Sequence, residues 1–470
     1  MSDNLTAKTA TELGELYARG ELSPVAVTQA VLDQIETHNP VLNCFCLVDA
    51  ESALASAHAS ETRWSSGGAL SAIDGVPTSI KDLTLTKGWP TLRGSRTSNA
   101  EGPWDEDAPA TARLREAGAV LIGKTTTPEM GWKGVTDSPL TGITRNPWNP
   151  ERTPGGSSGG AAAATAAFMG PLHQGSDAAG SIRIPAAFSG VFGHKPTFGL
   201  VPNYPLPPHI GNLANMGPIT RTVTDAALML NVLAQPDSRD FMSAPAVAQD
   251  ENYLNGLEAG IEGVRIAYSP TLGGNGWADD DVASAVKAAA DVLADLGAIV
   301  EEADPEIPDT RPIIDAIWST ADTWLISQIS PEKRELMDPG LLAIAEEGRK
   351  YGVTELVDSY AKRVLLGNAM ARFHQTYDLL LTPQMPLEAF TAGRNVPEGR
   401  DMKEWVDWSP FTYPFNLTMQ PACSVPCGLG NTRMPVAFQL IGRHWEDALL
   451  LRTARAYEKA RPFVAAPGYV

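Results

Sequence analysis

Residues Pro154 to Pro185 read PGGSSGGAAAATAAFMGPLHQGSDAAGSIRIP, and the interpretation of the whole chain turns on this stretch. Two glycine-flanked serine clusters, Gly155–Gly160 and Gly175–Ser181, bracket a run of alanines with high helix propensity. Gly-Gly-Ser-Ser-Gly-Gly is poor material for regular structure, because glycine loses the most backbone freedom on ordering. The pattern predicts a tight loop carrying Ser157 and Ser158 at the start of a helix over Ala161–Phe168. In the second cluster, Ala178-Ala179-Gly180-Ser181 sets only small side chains around one hydroxyl. Such a segment can turn several backbone N–H groups toward one point, as an oxyanion hole requires. The plainer alternative is a flexible Gly/Ser linker. A near-continuous apolar run inside the stretch, with Ile182-Arg183-Ile184-Pro185 directly after it, argues for a site rather than a spacer.

Around this centre the chain has the bulk of a soluble globular protein. It is 470 residues long, 43% hydrophobic and 19% charged, enough for a large core. A formal net charge of −19 argues against binding nucleic-acid phosphates, which needs a basic face. The N-terminal MSDNLTAKTATELGELYARGEL mixes charges with apolar residues, so neither a signal peptide nor a membrane span is expected. Four cysteines in so long a chain do not make a disulfide framework, and a reducing cytoplasm is the expected location. Cys44-x-Cys46 and Cys423-x3-Cys427 lack histidine or acid at ligand spacing, so they read as buried small hydrophobes in strand-like runs.

Periodicity and caps supply the elements. Residues 9–60 read as helical, with helices over Thr11–Arg19 and Ser23–Thr37; Ser23-Pro24 is an N-cap followed by proline at the first helical position. Thr62–Gly75 reads as loop and Val76–Lys81 as extended. A helix at Thr111–Ala117 leads into a buried strand at Ala119–Ile122. Val191–Pro196 and a helix over Thr224–Leu233 follow the centre. Val264–Tyr268 and Ile299–Glu302 read as strands flanking an amphipathic helix, Asp279–Leu296, whose acidic start suits the helix dipole. Pro312–Ile329, Pro339–Tyr351 and Thr354–Thr376 read as helices, Leu379–Leu381 as a strand and Thr382–Thr412 as an irregular loop. Val436–Ile441 and a helix over Trp445–Lys459 close the chain. Strands and helices alternating on both sides of a helix-rich middle imply one α/β sheet with an inserted helical section.

Two strings match known motifs in letters and fail in context. Gly118-Ala-Val-Leu-Ile-Gly123-Lys124-Thr125 fits a Walker A loop, but Ala-Val-Leu-Ile prefers a buried strand and Thr125-Thr126-Thr127-Pro128 resists a helix. Gly155-Gly-Ser157-Ser-Gly159 fits a nucleophile elbow, but three prolines occupy residues 146–154, where a hydrophobic strand belongs. Its partner histidine would be His374 or His444; a Ser–His–Asp esterase stays as the alternative mechanism. Without histidine, a serine nucleophile needs another base. Lysine serves when burial lowers its pKa from ~10.4 toward ~7–8. Lys81 ends an apolar strand; a surface lysine paired with Asp82 is the competing reading, and the residues alone leave both open.

Several blocks together resemble the amidase signature family. They are Gly75-Val-Pro with Lys81-Asp82, Ala117–Thr125, Asn146-Pro-Trp, Pro154–Gly160 and Gly175–Pro185, extending through Gly193-His-Lys-Pro196 and Phe411–Thr418 with Gln420-Pro421. The resemblance covers most of residues 70–460. It implies a single mixed, mostly parallel central sheet with helices on both faces. Residues 1–60 would pack as a helical segment on an α/β domain of residues 61–470, with a helix-rich insert at about 236–378. It also implies a Ser–cisSer–Lys triad: Ser181 as nucleophile, Ser157 as a bridging serine held by a cis peptide, and Lys81 as base. Ser157 lies 24 residues before Ser181, the family spacing. Ser158, Asp177 and Arg183 would support the site, and the N–H groups of Ala178, Ala179, Gly180 and Ser181 resemble the oxyanion hole. The family often has glycine where Ala179 stands.

The reaction implied is hydrolysis of a small amide, anilide or related acyl-nitrogen compound through a Ser181 acyl-enzyme, without metal or organic cofactor. Met130, Gly131 and Trp132 fall in a pocket-lining stretch of the family. Met385, Phe390, Trp405, Trp408 and Phe411 could line an apolar pocket or fill the core. The other functional class within the resemblance is the glutaminase subunit of a tRNA-dependent amidotransferase. That subunit continues differently after the Lys-Pro-Thr block, where this chain reads Phe198-Gly-Leu-Val-Pro-Asn-Tyr-Pro-Leu-Pro-Pro208. A stand-alone hydrolase is therefore expected, with self-association as a homodimer left open.

Overall fold

The computed structural model describes residues 4–244 and 252–469; residues 245–251, within the expected helix-rich insert, lie outside it. In chain order the strands are β1 (Phe45–Val48), β2 (Pro77–Lys81), β3 (Val120–Thr125), β4 (Asp137–Ser138), β5 (Gly142–Ile143), β6 (Leu172–Asp177) and β7 (Phe192–Lys195). There follow β8 (Asn215–Thr220), β9 (Arg265–Tyr268), β10 (Ile299–Glu302), β11 (Leu379–Pro383), β12 (Ala422–Leu429) and β13 (Pro435–Ile441). All but the small β4–β5 hairpin join one 11-stranded sheet, in the order β1-β3-β2-β6-β8-β7-β12-β13-β11-β9-β10.

The sheet is mixed, as expected. Its parallel ladders lie in two wings, β3–β2–β6 and β11–β9–β10. The strands between the wings, and β1 at the edge, pair antiparallel, so parallel pairing is less extensive than the resemblance implies. A short link explains one of these ladders: β12 and β13 are joined by only Gly430–Met434, too few residues for a parallel crossover.

Alternation along the strands sends side chains into two cores. In β11, Leu379 and Leu381 join the cluster formed with helices Ala10–Ala18, Val223–Leu233, Asp280–Asp295 and Asp447–Ala460. Leu380 points the other way, into the cluster formed with helices Arg311–Ser327, Pro339–Gly348 and Val353–Phe373. Helices therefore cover both faces. Helix Asp280–Asp295 buries Val282, Val286, Ala289, Ala290 and Leu293, the apolar stripe its sequence advertises. Thr9 caps helix Ala10–Ala18 in a reciprocal box with Glu12. Among the described residues, no helix is long and apolar enough to cross a membrane.

Two elements position the site. Val120–Thr125, the larger part of the Walker-like string Gly118–Thr125, is a fully buried strand beside β2. Strand β6, Leu-His-Gln-Gly-Ser-Asp, is fully buried although its composition argues against a strand. It is parallel to β2, so Lys81 and Asp177, the last residues of their strands, emerge at the same end of the sheet.

Candidate active site

Lys81 is completely buried. Its Nζ lies 2.7 Å from Ser157 Oγ, 2.9 Å from Ser158 Oγ and 3.0 Å from Ser176 Oγ. Burial drives its pKa well below the ordinary lysine value, opposed by the carboxylate of Asp177. Pairing with Asp82 does not occur: Asp82 takes Lys124, at 3.2 Å. The three hydroxyls come from two directions. Ser157 and Ser158 precede helix Gly159–Ala166, after a cis Gly156–Ser157 peptide, and Ser176 comes from β6. Ser158 is itself fixed, donating to the Ser176 carbonyl at 3.1 Å and accepting from the Ser176 N–H at 3.2 Å.

Ser181 shares its cavity with Ser157 and Ser176, and its carbonyl accepts the Ser158 N–H at 3.0 Å. The four N–H groups expected to converge near it are not equivalent. Gly180 N–H donates to Asp177 Oδ1 at 2.7 Å and is therefore already committed. Among the described residues, no acceptor takes the N–H groups of Ala178, Ala179 or Ser181. Ala179 is not among the described non-glycine residues with positive φ, so alanine fits where the family often has glycine. Gly180 does need to be glycine: its φ is +120°, and a Cβ there would lie 2.6 Å from Thr412 Cβ.

Asp177 and Arg183, the expected supporting residues, form the buried frame of this turn. Each guanidinium nitrogen of Arg183 has an acceptor. Nε and Nη2 each reach Asp177 at 3.0 Å; Nη2 also reaches Asn416 Oδ1 at 2.6 Å. Nη1 serves the Thr412 carbonyl at 3.0 Å and Gln439 Oε1 at 2.5 Å. Burial raises the Asp177 pKa, but Arg183 and its hydrogen bonds outweigh that, holding the carboxyl well below the usual range.

Ser157, Ser176, Asp177, Ala178 and Ser181 open onto one cavity of about 400 Å³. Met130 and Gly131 line it as expected. Trp132 does not: it is buried in the core and donates its indole N–H to Asp338 at 3.2 Å. Left-handed φ values at Met130 (53°) and Gly131 (76°) kink the chain between the cavity and that core. Met385, Phe390, Trp405, Trp408 and Phe411 are likewise core residues, packed together away from the cavity. The walls come instead from Asn203–Ile210 and from helix Arg311–Ser327 with its following turn, through Trp318, Trp324, Leu325 and Ile329. Sequence reading missed these, and missed Ser176 and Arg93. For Ser176 the signal was its place within the Gly175–Pro185 block.

Among the described residues, no histidine meets Ser181 in the manner of a Ser–His–Asp site. His374 Nδ1 faces the Tyr377 carbonyl at 3.1 Å and His444 Nε2 the Thr418 carbonyl at 2.9 Å. Neither lines the cavity. His209 does, but it stacks on Trp324 at 5.8 Å and burial lowers its pKa to about 4.

The chain is a member of the amidase family, whose model, described as Amidase, matches residues 26–451. It is 36% identical to an acylamidase of Rhodococcus erythropolis, over 98% of this chain and 97% of that one. It is also 36% identical to a glutamyl-tRNA(Gln) amidotransferase subunit of Myxococcus xanthus, over 98% of both chains. The solved structure of a bacterial aryl acylamidase of the amidase signature family superimposes with a TM-score of 0.89 at 29% identity, covering 97% of this chain and 96% of that one.

Proposed function

We propose that this protein hydrolyses a carboxylic amide C–N bond through an acyl-enzyme on Ser181. The observation that carries the reading is Lys81: a fully buried amine whose side-chain hydrogen bonds all go to hydroxyl oxygens. Burial lowers its pKa well below the ordinary lysine value, which favours the neutral amine that can accept a proton. The Ser181 hydroxyl proton passes through Ser157 to Lys81 while Ser181 Oγ bonds to the amide carbonyl carbon. Negative charge on the carbonyl oxygen is met by the uncommitted N–H groups of Ala178, Ala179 and Ser181. The proton then returns through Ser157 to the nitrogen, the C–N bond breaks, and water repeats the sequence to release the acid.

The second reading, the glutaminase component of an amidotransferase, is favoured by the similarity to the Myxococcus protein. The cavity weighs against it. The segment in which this chain departs from the glutaminase pattern supplies Asn203 through Pro208 to the cavity wall. With Trp318, Trp324 and Ile329 also on the wall, the space suits an apolar acyl or aryl group better than glutamine. One experiment covers both readings: a fluorophosphonate probe with adduct mapping, alongside turnover of anilides and glutamine. The expected outcome is an adduct on Ser181, anilide hydrolysis, and a loss of roughly 10⁴-fold or more in Ser181→Ala. An adduct on Ser157 with Ser181 untouched would reverse the assignment, and turnover of glutamine alone would favour the glutaminase reading.

A further inference from the structure

Apart from the phenol of Tyr204, the cavity wall carries three groups that can bear charge: Asp177, His209 and Arg93. Asp177 is neutralised by the Arg183 guanidinium, which gives it two hydrogen bonds. His209 is uncharged near neutrality, and Lys81 lies behind the serines with its pKa driven well below the ordinary lysine value by burial. That leaves Arg93. Among the described residues, its guanidinium has neither a hydrogen-bond acceptor nor an ion-pair partner. The carboxylate that acts on it electrostatically is Asp82, and both Asp82 oxygens are engaged elsewhere. Oδ1 takes Lys124 at 3.2 Å and the Leu92 N–H at 3.2 Å, and Oδ2 takes the Gly94 N–H at 3.2 Å.

Arg93 is also held in place. Its N–H donates to the Asp82 carbonyl at 3.1 Å and its carbonyl accepts from the Met130 N–H at 2.8 Å, with its own φ at +57°. Met130 leads to Gly131, whose Cα faces Ser157: a Cβ there would lie 3.4 Å from Ser157 Oγ. That hydrogen bond and the short stretch after it thus tie the unpaired cation to the reacting serines. A guanidinium on the wall of a mostly apolar cavity is costly unless an acceptor of opposite charge arrives, and its planar fork matches a carboxylate. A neutral acceptor would satisfy the N–H groups and leave the charge uncompensated.

We propose that the cavity is built for an amide substrate that carries a carboxylate, bound by Arg93, beside an apolar portion held by Leu206, Trp318 and Ile329. The proposal rests on the amidase reading for where the scissile carbonyl lies, but anion binding itself does not depend on turnover. Two measurements separate them. Calorimetry compares 4-phenylbutanoate with 4-phenylbutan-1-ol, in wild type, Arg93→Gln and Arg93→Lys. Kinetics compares N-phenylsuccinamic acid with butyranilide, and 4-acetamidobenzoate with acetanilide, so that a carboxylate on either side of the amide is sampled.

The expected result is a carboxylate preference of about 10-fold or more in wild-type affinity, the scale of a charge-assisted hydrogen bond. One substrate pair should show the same preference in kcat/KM. Arg93→Gln should erase both ratios and Arg93→Lys should keep part of them. Each ratio is taken within one protein, so it does not depend on the folded fraction. Equal binding of acid and alcohol by wild type, or an undiminished preference in Arg93→Gln, overturns the proposal. Hydrolysis of neutral amides with no carboxylate preference sinks the anion subsite and leaves the amidase reading standing. Carboxylate-selective binding with no turnover of any amide and no Ser181 adduct does the reverse.

Discussion

Replacing Asp177 by asparagine removes one charge from a pair that the fold encloses completely. Arg183 would keep Thr412, Gln439 and Asn416 as acceptors but lose its counter-ion. The asparagine amide must also point its NH2 at groups that already donate. At the Oδ1 position these are Gly180 N–H, Arg183 Nη2 and Asn416 Nδ2; at the Oδ2 position they are the Ile182 and Arg183 backbone N–H groups and Arg183 Nε. Breaking a buried pair from one side costs about 3–5 kcal/mol. A chain of this length has an unfolding entropy of about 1 kcal/mol/K, so the Tm should fall by about 3–5 °C. Activity should fall as well, because the same carboxylate fixes Gly180 and Ile182 on either side of Ser181. Scanning calorimetry of Asp177→Asn, Arg183→Met and the double variant forms the assay. The double variant should lose less than the sum of the singles, since it leaves neither charge alone. Additive losses, or an unchanged Tm in Asp177→Asn, would refute the argument that this pair holds the turn.

Two further outcomes follow from the same geometry. Because burial lowers the Lys81 pKa from its ordinary 10.5, kcat/KM should fall as pH drops through that depressed value and stay high on the alkaline side. Native Lys81 holds its proton less tightly than the unfolded chain does. Its contribution to stability is therefore fullest above pH 10.5 and is lost as pH falls toward the folded-state pKa. Lys81→Met should accordingly be inactive, with a Tm difference from wild type that shifts in its favour from pH 10.5 toward neutrality; a flat difference across that range would count against a neutral Lys81. Gly180→Ala should lose about 1–3 kcal/mol and most activity, through its φ of +120° and the Thr412 contact, whereas Ala179→Gly should change turnover little. Equal behaviour of the two in thermal and kinetic assays would contradict the backbone argument.

The sequence by itself determined the local pieces. Ser23-Pro24 starts a helix because its side chain and fixed φ satisfy that helix end alone, and the Asp280–Asp295 stripe needs only a period of 3.6. The ordered blocks round Lys81, Ser157 and Ser181 marked the site through their resemblance, because small residues and hydroxyls at fixed spacing are legible in one dimension. Tertiary structure decided what depends on neighbours distant in the chain. Leu-His-Gln-Gly-Ser-Asp becomes the buried strand β6 because each polar group finds a partner from elsewhere: His173 meets Ser79, Gln174 the Lys81 N–H, Ser176 the Lys81 amine nitrogen, and Asp177 meets Asn416. Trp132 and Trp318 look alike as letters, yet a left-handed kink at Met130 and Gly131 sends one to the core while helix packing turns the other to the cavity. Arg93 stands out for what it lacks: only the folded chain reveals that Asp82 is spent on Lys124 and backbone N–H groups, leaving this guanidinium on the cavity wall without a partner among the described residues.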